Sequence, residues 1–179
     1  LTTSFDISQL PPFVIRADGK TLDDTLINLS SNESPFGPSP EVNKVIANHQ
    51  TNINRYPDMH AVELKKAIAD LNGLEPQRII CGNGSDSILF NLALAYGSRD
   101  HEIIMSQYSF IMFRRAALST GAIPILVEEN DYTFSVENAL AAVTEKTRII
   151  FLANPNNPTG SFLSGDEIIH LRKELPSNV

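Results

Sequence analysis

The chain has 179 residues, 42% of them hydrophobic and 20% charged, which excludes a disordered or fibrous protein. Its net charge of −7 and the lack of a Lys/Arg run exclude a basic face, which nucleic acid or an anionic membrane would need in a partner. A single cysteine, Cys81, excludes an internal disulfide and fits a reducing cytoplasm. No apolar stretch reaches ~18 residues, and the first residues lack the basic start and apolar core of a signal peptide.

Residues 1 to about 60 are rich in Pro, Ser and Asn and show little periodicity. We expect an extended arm there, followed by part of a small domain with one amphipathic helix around Glu41 to Ala47. From Ala61 onward, apolar residues recur at helical spacing, with charged residues on the other face. This helix is predicted to open a large domain over residues 61–179.

Short apolar runs alternate with helical patterns along the rest of the chain. The predicted strands are Arg78 to Cys81, Glu102 to Met105, Ile123 to Val127 and Arg148 to Ala153. The predicted helices are Asp86 to Leu94, Phe110 to Leu118, Val136 to Val143 and Gly165 to Glu174. Because parallel strands are joined by crossover helices that cover both faces, the alternation predicts an α/β fold with a three-layer, mostly parallel sheet. The alternation calls for another strand after the last helix, so the sheet is expected to be incomplete within these residues.

A glycine-rich segment, Gly82-Asn83-Gly84-Ser85-Asp86, joins the first predicted strand to a helix. Small residues let a ligand approach the backbone, and the free N–H groups of a first helical turn favour an anion, so a phosphate would fit there. Ser85 or Asp86 could equally be a helix cap. Neither a dinucleotide fingerprint, which needs a third glycine at Ser87, nor a P-loop is present.

Two other predicted strands also end in polar or aromatic residues. Tyr108 could stack on a flat ring, or it could fill the corner between strand and helix. Asn157, in the run Asn154-Pro155-Asn156-Asn157-Pro158-Thr159-Gly160, could donate to a ligand, or the run could be an ordinary turn. Because the carboxyl ends of parallel strands share one edge of a sheet, the three segments are predicted to converge on one ligand.

The remaining polar residues are interpreted as structural. The four histidines are scattered without the spacing of metal ligands, so no metal site is expected. The run from Glu128 to Asp131 is interpreted as an exposed turn.

These segments together resemble the amino-terminal half of a histidinol-phosphate aminotransferase, a member of the fold-type I, class I/II aminotransferases that depend on pyridoxal 5'-phosphate. The likeness is carried by Asn157-Pro158-Thr159-Gly160, Gly84-Ser85-Asp86, Tyr108, Asn32-Glu33-Ser34-Pro35-Phe36-Gly37 and Arg55-Tyr56-Pro57-Asp58. It implies an aspartate aminotransferase-like fold and transfer of an amino group between histidinol phosphate and 2-oxoglutarate, a step of histidine biosynthesis.

The resemblance also implies a role for each matching residue. Ser85 and Asp86 would hold the cofactor phosphate, Tyr108 would stack on its ring, and Asn157 would donate to its phenolic oxygen. Tyr56 would reach the cofactor of a partner subunit, which implies a homodimer, and Asn32 would lie near the substrate entrance.

The chain departs from the family pattern in two ways. Ser106 and Gln107 stand where many relatives have proline and threonine, and Ser87 stands where they have glutamate. Transamination also needs a lysine that forms a Schiff base with the cofactor, and the lysines of this chain fall on the arm, on helix faces or in a loop. They are Lys20, Lys44, Lys65, Lys66, Lys146 and Lys173. The fragment is therefore expected to be inactive alone.

Three alternatives are open at this point. An aromatic amino acid aminotransferase or a threonine-phosphate decarboxylase uses nearly the same cofactor motifs. A non-catalytic module that binds a phosphate-bearing ligand would use the same strand ends without chemistry.

Overall fold

The computed structural model describes residues 32–179, which divide into two compact units, residues 32–79 and Ile80–Val179. The predicted arm within residues 1–31 and Lys20 lie outside the described residues. The predicted domain boundary near residue 60 concerns the complete protein and stays a prediction.

The first unit consists of short helices. These are α1 (Pro40–His49), a 3-10 turn (Gln50–Asn52), α2 (Val62–Asn72) and a second 3-10 turn (Pro76–Arg78). Helix α1 begins after Ser39, whose Oγ accepts the backbone N–H of Val42 at 3.3 Å. Helix α2 ends at Gly73, which adopts the left-handed conformation that glycine tolerates best. The helices predicted around Glu41 and from Ala61 are confirmed.

The second unit is an α/β layer structure. Its elements are α3 (Gly84–Tyr96), β1 (Glu102–Ser106), α4 (Ile111–Ser119), β2 (Ile123–Val127), α5 (Val136–Ala141), β3 (Thr147–Phe151) and α6 (Gly165–Glu174). The strands form a parallel sheet in the order β2-β1-β3, with Ile104 paired to Ile125 on one side and Ile150 on the other. The predicted parallel α/β fold and its last three strands are therefore confirmed.

The strand predicted from Arg78 to Cys81 is wrong. Pro76–Arg78 forms a 3-10 turn, and although Ile79 has extended dihedral angles, no strand within residues 32–179 pairs with it. The side chain of Ile80 is 71% exposed. Local apolar character favours extended backbone, but a strand also needs a hydrogen-bonding neighbour.

The core lies on both faces of the central strand. On one face, Ile103 and Met105 pack with Phe113 of α4 and with residues of α3. On the other face, Ile104 packs with residues of α5 and with Leu171 of α6. Because successive side chains of a strand point to opposite faces, an unbroken apolar run in β1 fills both layers. Helices on both sides give the predicted three-layer arrangement.

Candidate active site

The carboxyl ends of β1 and β3 form a crevice at the edge of the sheet. The two strands are neighbours, but the chain leaves β1 toward α4 on the first face and leaves β3 toward α6 on the second. Loops that diverge in this way mark the point where open α/β sheets bind ligands. Tyr108 follows β1 and Asn157 follows β3. The structure thus places these two predicted residues on loops that flank one crevice.

Asn156 joins the two loops. Its side chain is 8% exposed, and its Nδ2 donates to the backbone carbonyl of Tyr108 at 3.0 Å and to Thr159 Oγ1 at 2.8 Å. Its backbone N–H donates to the carbonyl of Ser161 at 2.7 Å, which closes the loop on itself. A buried amide with these partners fixes the Tyr108 peptide against the loop after β3.

Asn157, the next residue, has the opposite character. It is exposed, and its side chain forms no hydrogen bond within residues 32–179. The Tyr108 ring is 48% exposed, and its centroid lies 5.6 Å from that of Tyr132 at a tilt of 46°. An unengaged amide and a half-exposed aromatic face, held by Asn156, suit contact with a flat polar ligand.

The amino end of α3 lies at the same edge of the sheet. At the other end of the helix, a Cβ on Gly97 would lie 3.4 Å from Ile103 Cδ1, near the start of β1. The middle turns of α3 pack on the cluster that contains Phe151, at the end of β3. Helix α3 therefore runs antiparallel to the strands, and its first turn, with Ser85 and Asp86, is at their carboxyl ends.

This first turn has the properties of an anion site. The helix starts after Asn83, which provides no side-chain cap, and neither Ser85 nor Asp86 forms a side-chain hydrogen bond within the described residues. The capping alternative for Ser85 and Asp86 is therefore not realised there. Gly84 has φ +73°, and a Cβ at this position would meet no atom within 4 Å. Glycine is thus favoured by backbone conformation, and the space above it is open for a ligand to approach the helical N–H groups.

Glu129 is the residue that sequence reasoning missed. Its Oε1 accepts hydrogen bonds from Ser106 Oγ and from the backbone N–H of Tyr108, the latter at 3.1 Å. Its Oε2 is buried and has no hydrogen-bond partner within residues 32–179. This overturns the interpretation of Glu128 to Asp131 as a simple exposed turn, because Glu129 points inward. A usable signal was Ser106, a polar residue that closes an apolar strand and is 3% exposed.

Asn32 and Tyr56 belong to the first unit. Asn32 is exposed with φ 54°, and the Tyr56 ring is 98% exposed. In the same motif, Asp58 is the cap of α2: its Oδ2 accepts the N–H of Val62 at 2.7 Å and its Oδ1 accepts that of His60 at 2.9 Å. These bonds, that of Val62 first, lower the pKa of Asp58 because they favour the ionised carboxylate.

The described lysines lie away from the crevice or in the first unit. In the second unit, Lys146 precedes β3 at the amino edge of the sheet, and Lys173 is in the last turn of α6. In the first unit, Lys44 pairs with Glu41 at 2.7 Å, and Lys65 and Lys66 lie on α2. Residues 32–179 hold no group of three or more side chains suited to a metal ion, and none of their helices is long and apolar enough to cross a membrane.

Comparison with known proteins identifies the family. The sequence profile of the family "Aminotransferase class I and II" matches residues 24–176. The chain belongs to this family. Among similar proteins, a histidinol-phosphate aminotransferase of Paramagnetospirillum magneticum is 44% identical over 156 residues, which cover 87% of this chain and 43% of that protein. Another, from Sphingopyxis alaskensis, is 41% identical over 180 residues and covers 97% of this chain and 47% of that protein.

A solved structure of this aminotransferase family has the same fold. The histidinol-phosphate aminotransferase of Sinorhizobium meliloti, in complex with pyridoxal-5'-phosphate, matches with a TM-score of 0.78 at 28% identity, over 82% of this chain and 40% of that protein. The predicted fold type is therefore confirmed. The chain spans less than half the length of these relatives.

Proposed function

We propose that the protein to which this chain belongs is a pyridoxal 5'-phosphate-dependent aminotransferase that transfers an amino group between histidinol phosphate and 2-oxoglutarate. The observation that carries the proposal is the crevice flanked by the Tyr108 and Asn157 loops, with the first turn of α3 at the same edge of the sheet. Relatives at 38–44% identity that carry the name histidinol-phosphate aminotransferase support the substrate.

The residues present fit this cofactor. The N–H groups of Ser85 and Asp86, with the helix dipole, would hold the dianionic phosphate. The Tyr108 ring would cover one face of the pyridine. The Asn157 amide would donate to the phenolic oxygen, and a donor there favours the ionised form. When bound, the cofactor supplies an electron sink for the carbanion formed at the substrate α-carbon; the chain itself supplies binding and orientation.

The proposal includes the parts of the enzyme outside this chain. The lysine that bonds to the cofactor would come from residues beyond the 179 considered, because neither Lys146 nor Lys173 is placed at the carboxyl edge of the sheet. Tyr56 would reach the cofactor phosphate of a partner subunit, so the enzyme would be a homodimer, and Asn32 would lie near the substrate entrance. The single cysteine, Cys81, fits a cytoplasmic location.

The test is to reduce the complete gene product with borohydride in the presence of pyridoxal 5'-phosphate and to locate the modified lysine by peptide mass spectrometry. We expect one stoichiometric adduct outside this chain and amino transfer from histidinol phosphate. An adduct on a lysine of this chain would refute the assignment of the lysine. Preference for an aromatic amino acid or decarboxylation of threonine phosphate would correct the substrate, and binding without any lysine adduct would favour a non-catalytic phosphate-binding module.

A further inference from the structure

We propose that Glu129 is a positioning residue that fixes the Tyr108 peptide and thereby orients the ring that faces the cofactor. The proposal rests on the proposed function for its effect on the cofactor, but not for its geometry. Glu129 lies just after β2, whereas Tyr108 lies just after β1, so the contact joins two adjacent strand ends.

The Tyr108 peptide is held from both sides. Its N–H donates to Glu129 Oε1 at 3.1 Å, and its carbonyl accepts from Asn156 Nδ2 at 3.0 Å. These bonds come from two different loops, after β2 and after β3. A backbone fixed at both its donor and its acceptor leaves the side chain few orientations, which is the preorganisation that a stacking residue needs.

Ser106 explains why a carboxylate occupies this position. Its hydroxyl is buried at the end of β1 and donates to the same Oε1 of Glu129. A buried hydroxyl needs a partner, and an acceptor with a lone pair left for the Tyr108 N–H serves both groups. The serine of this chain, where many relatives have proline, and Glu129 therefore work as a pair.

The opposite oxygen of Glu129 is buried without a hydrogen-bond partner in residues 32–179. Such an oxygen is unfavourable for stability, because desolvation is not offset by a bond. The cost is consistent with a residue retained for where it holds Tyr108 rather than for the stability of the loop.

The test uses the complete protein and three variants of this loop. Glu129→Ala removes both bonds, Glu129→Gln keeps a side-chain oxygen acceptor, and Glu128→Ala is the control, since Glu128 is the exposed neighbour on the same loop. We expect Glu129→Ala to raise the dissociation constant of pyridoxal 5'-phosphate about tenfold, the effect of one hydrogen bond of ordinary strength. Glu129→Gln is expected to stay within about threefold of the parent protein and Glu128→Ala within about twofold.

A double-mutant cycle with Tyr108→Ala separates positioning from a general structural effect. If Glu129 acts through the Tyr108 ring, Glu129→Ala changes the dissociation constant less than about twofold once that ring is absent. Full additivity of the two changes would overturn the proposal.

Hydrogen exchange of the cofactor-free protein tests the geometry independently. The Tyr108 amide is expected to exchange about tenfold faster in Glu129→Ala than in the parent or in Glu128→Ala. An unchanged exchange rate would refute the role of Glu129 even in a protein that binds the cofactor. Failure of the parent protein to bind pyridoxal 5'-phosphate would refute the proposed function, while the exchange experiment would still decide the position of Glu129.

Discussion

Adjacent asparagines in the loop after β3 are expected to fail in opposite ways when each is replaced by alanine. Asn156 is buried and donates to Tyr108 O and Thr159 Oγ1, whereas Asn157 is exposed and its side chain has no partner within the described residues. The pair has the same chemistry one position apart. It therefore separates the loop's stability from its contact with a ligand.

The magnitude for Asn156→Ala follows from the two bonds that are lost. Each contributes about 1 kcal/mol net, and the Tyr108 carbonyl, left beside a buried gap, adds part of a desolvation penalty of about 1–3 kcal/mol. We expect the free energy of unfolding to fall by about 2–3 kcal/mol. Asn157→Ala should change it by no more than about 0.5 kcal/mol, because it removes an exposed side chain without bonds.

The assay is urea unfolding of the cofactor-free complete protein, followed by titration with pyridoxal 5'-phosphate. Asn157→Ala should weaken cofactor binding about tenfold, the loss of one hydrogen bond, with unchanged stability. If Asn157→Ala were the destabilised variant, or if both lost stability equally, the division of roles between these two side chains would be refuted.

Other consequences of the structure can be measured in the same protein. Gly84→Ala should lower stability by about 1–2 kcal/mol, because φ +73° is unfavourable for a side chain, and should weaken phosphate binding at the first turn of α3. Because the folded-state pKa of Asp58 is lowered, the unfolded state binds more protons, so its contribution to stability is present above the ordinary pKa and is lost as the pH falls through the lowered value. Asp58→Asn should remove this component of the acid dependence of unfolding. Ser164→Ala should cost about 1 kcal/mol in a urea titration, because Ser164 Oγ is part of the capping box of α6.

Each of these has a matched control. Gly165→Ala, at a glycine without positive φ and with no atom within 4 Å of an added Cβ, should be close to neutral in comparison with Gly84→Ala. An Asp58→Asn protein with an unaltered acid profile would show that the cap contributes nothing to the pH dependence. Ser34→Ala, in the exposed part of the first unit, is the comparison for Ser164→Ala, and equal effects would deny the importance of the capping box.

The elements predicted best are those whose bounds are set by neighbours in the chain. Helix α6 begins and ends at the predicted residues, Gly165 and Glu174, because Ser164 and Glu167 form a local capping box. Pairing between strands is not local. The stretch from Arg78 to Cys81 has strand composition, but its assignment depends on a neighbour that the residues themselves do not specify.

The site was predictable at the level of its loops and not at the level of individual contacts. The strand-end rule brought Tyr108 and Asn157 to one edge. It could not tell that Asn156 is the buried tie, because adjacent asparagines look alike in a turn sequence. Glu129 sits in an acidic run of the kind that usually faces solvent, and only its hydrogen bonds across to Ser106 and Tyr108 reveal its inward position.

The most direct measurement is a crystal structure of the complete gene product with pyridoxal 5'-phosphate. We expect the phosphate on the N–H groups of Ser85 and Asp86, the ring against Tyr108, and the phenolic oxygen within hydrogen-bond distance of Asn157 Nδ2. A cofactor bound elsewhere, with the crevice between the ends of β1 and β3 filled only by solvent, would contradict the account.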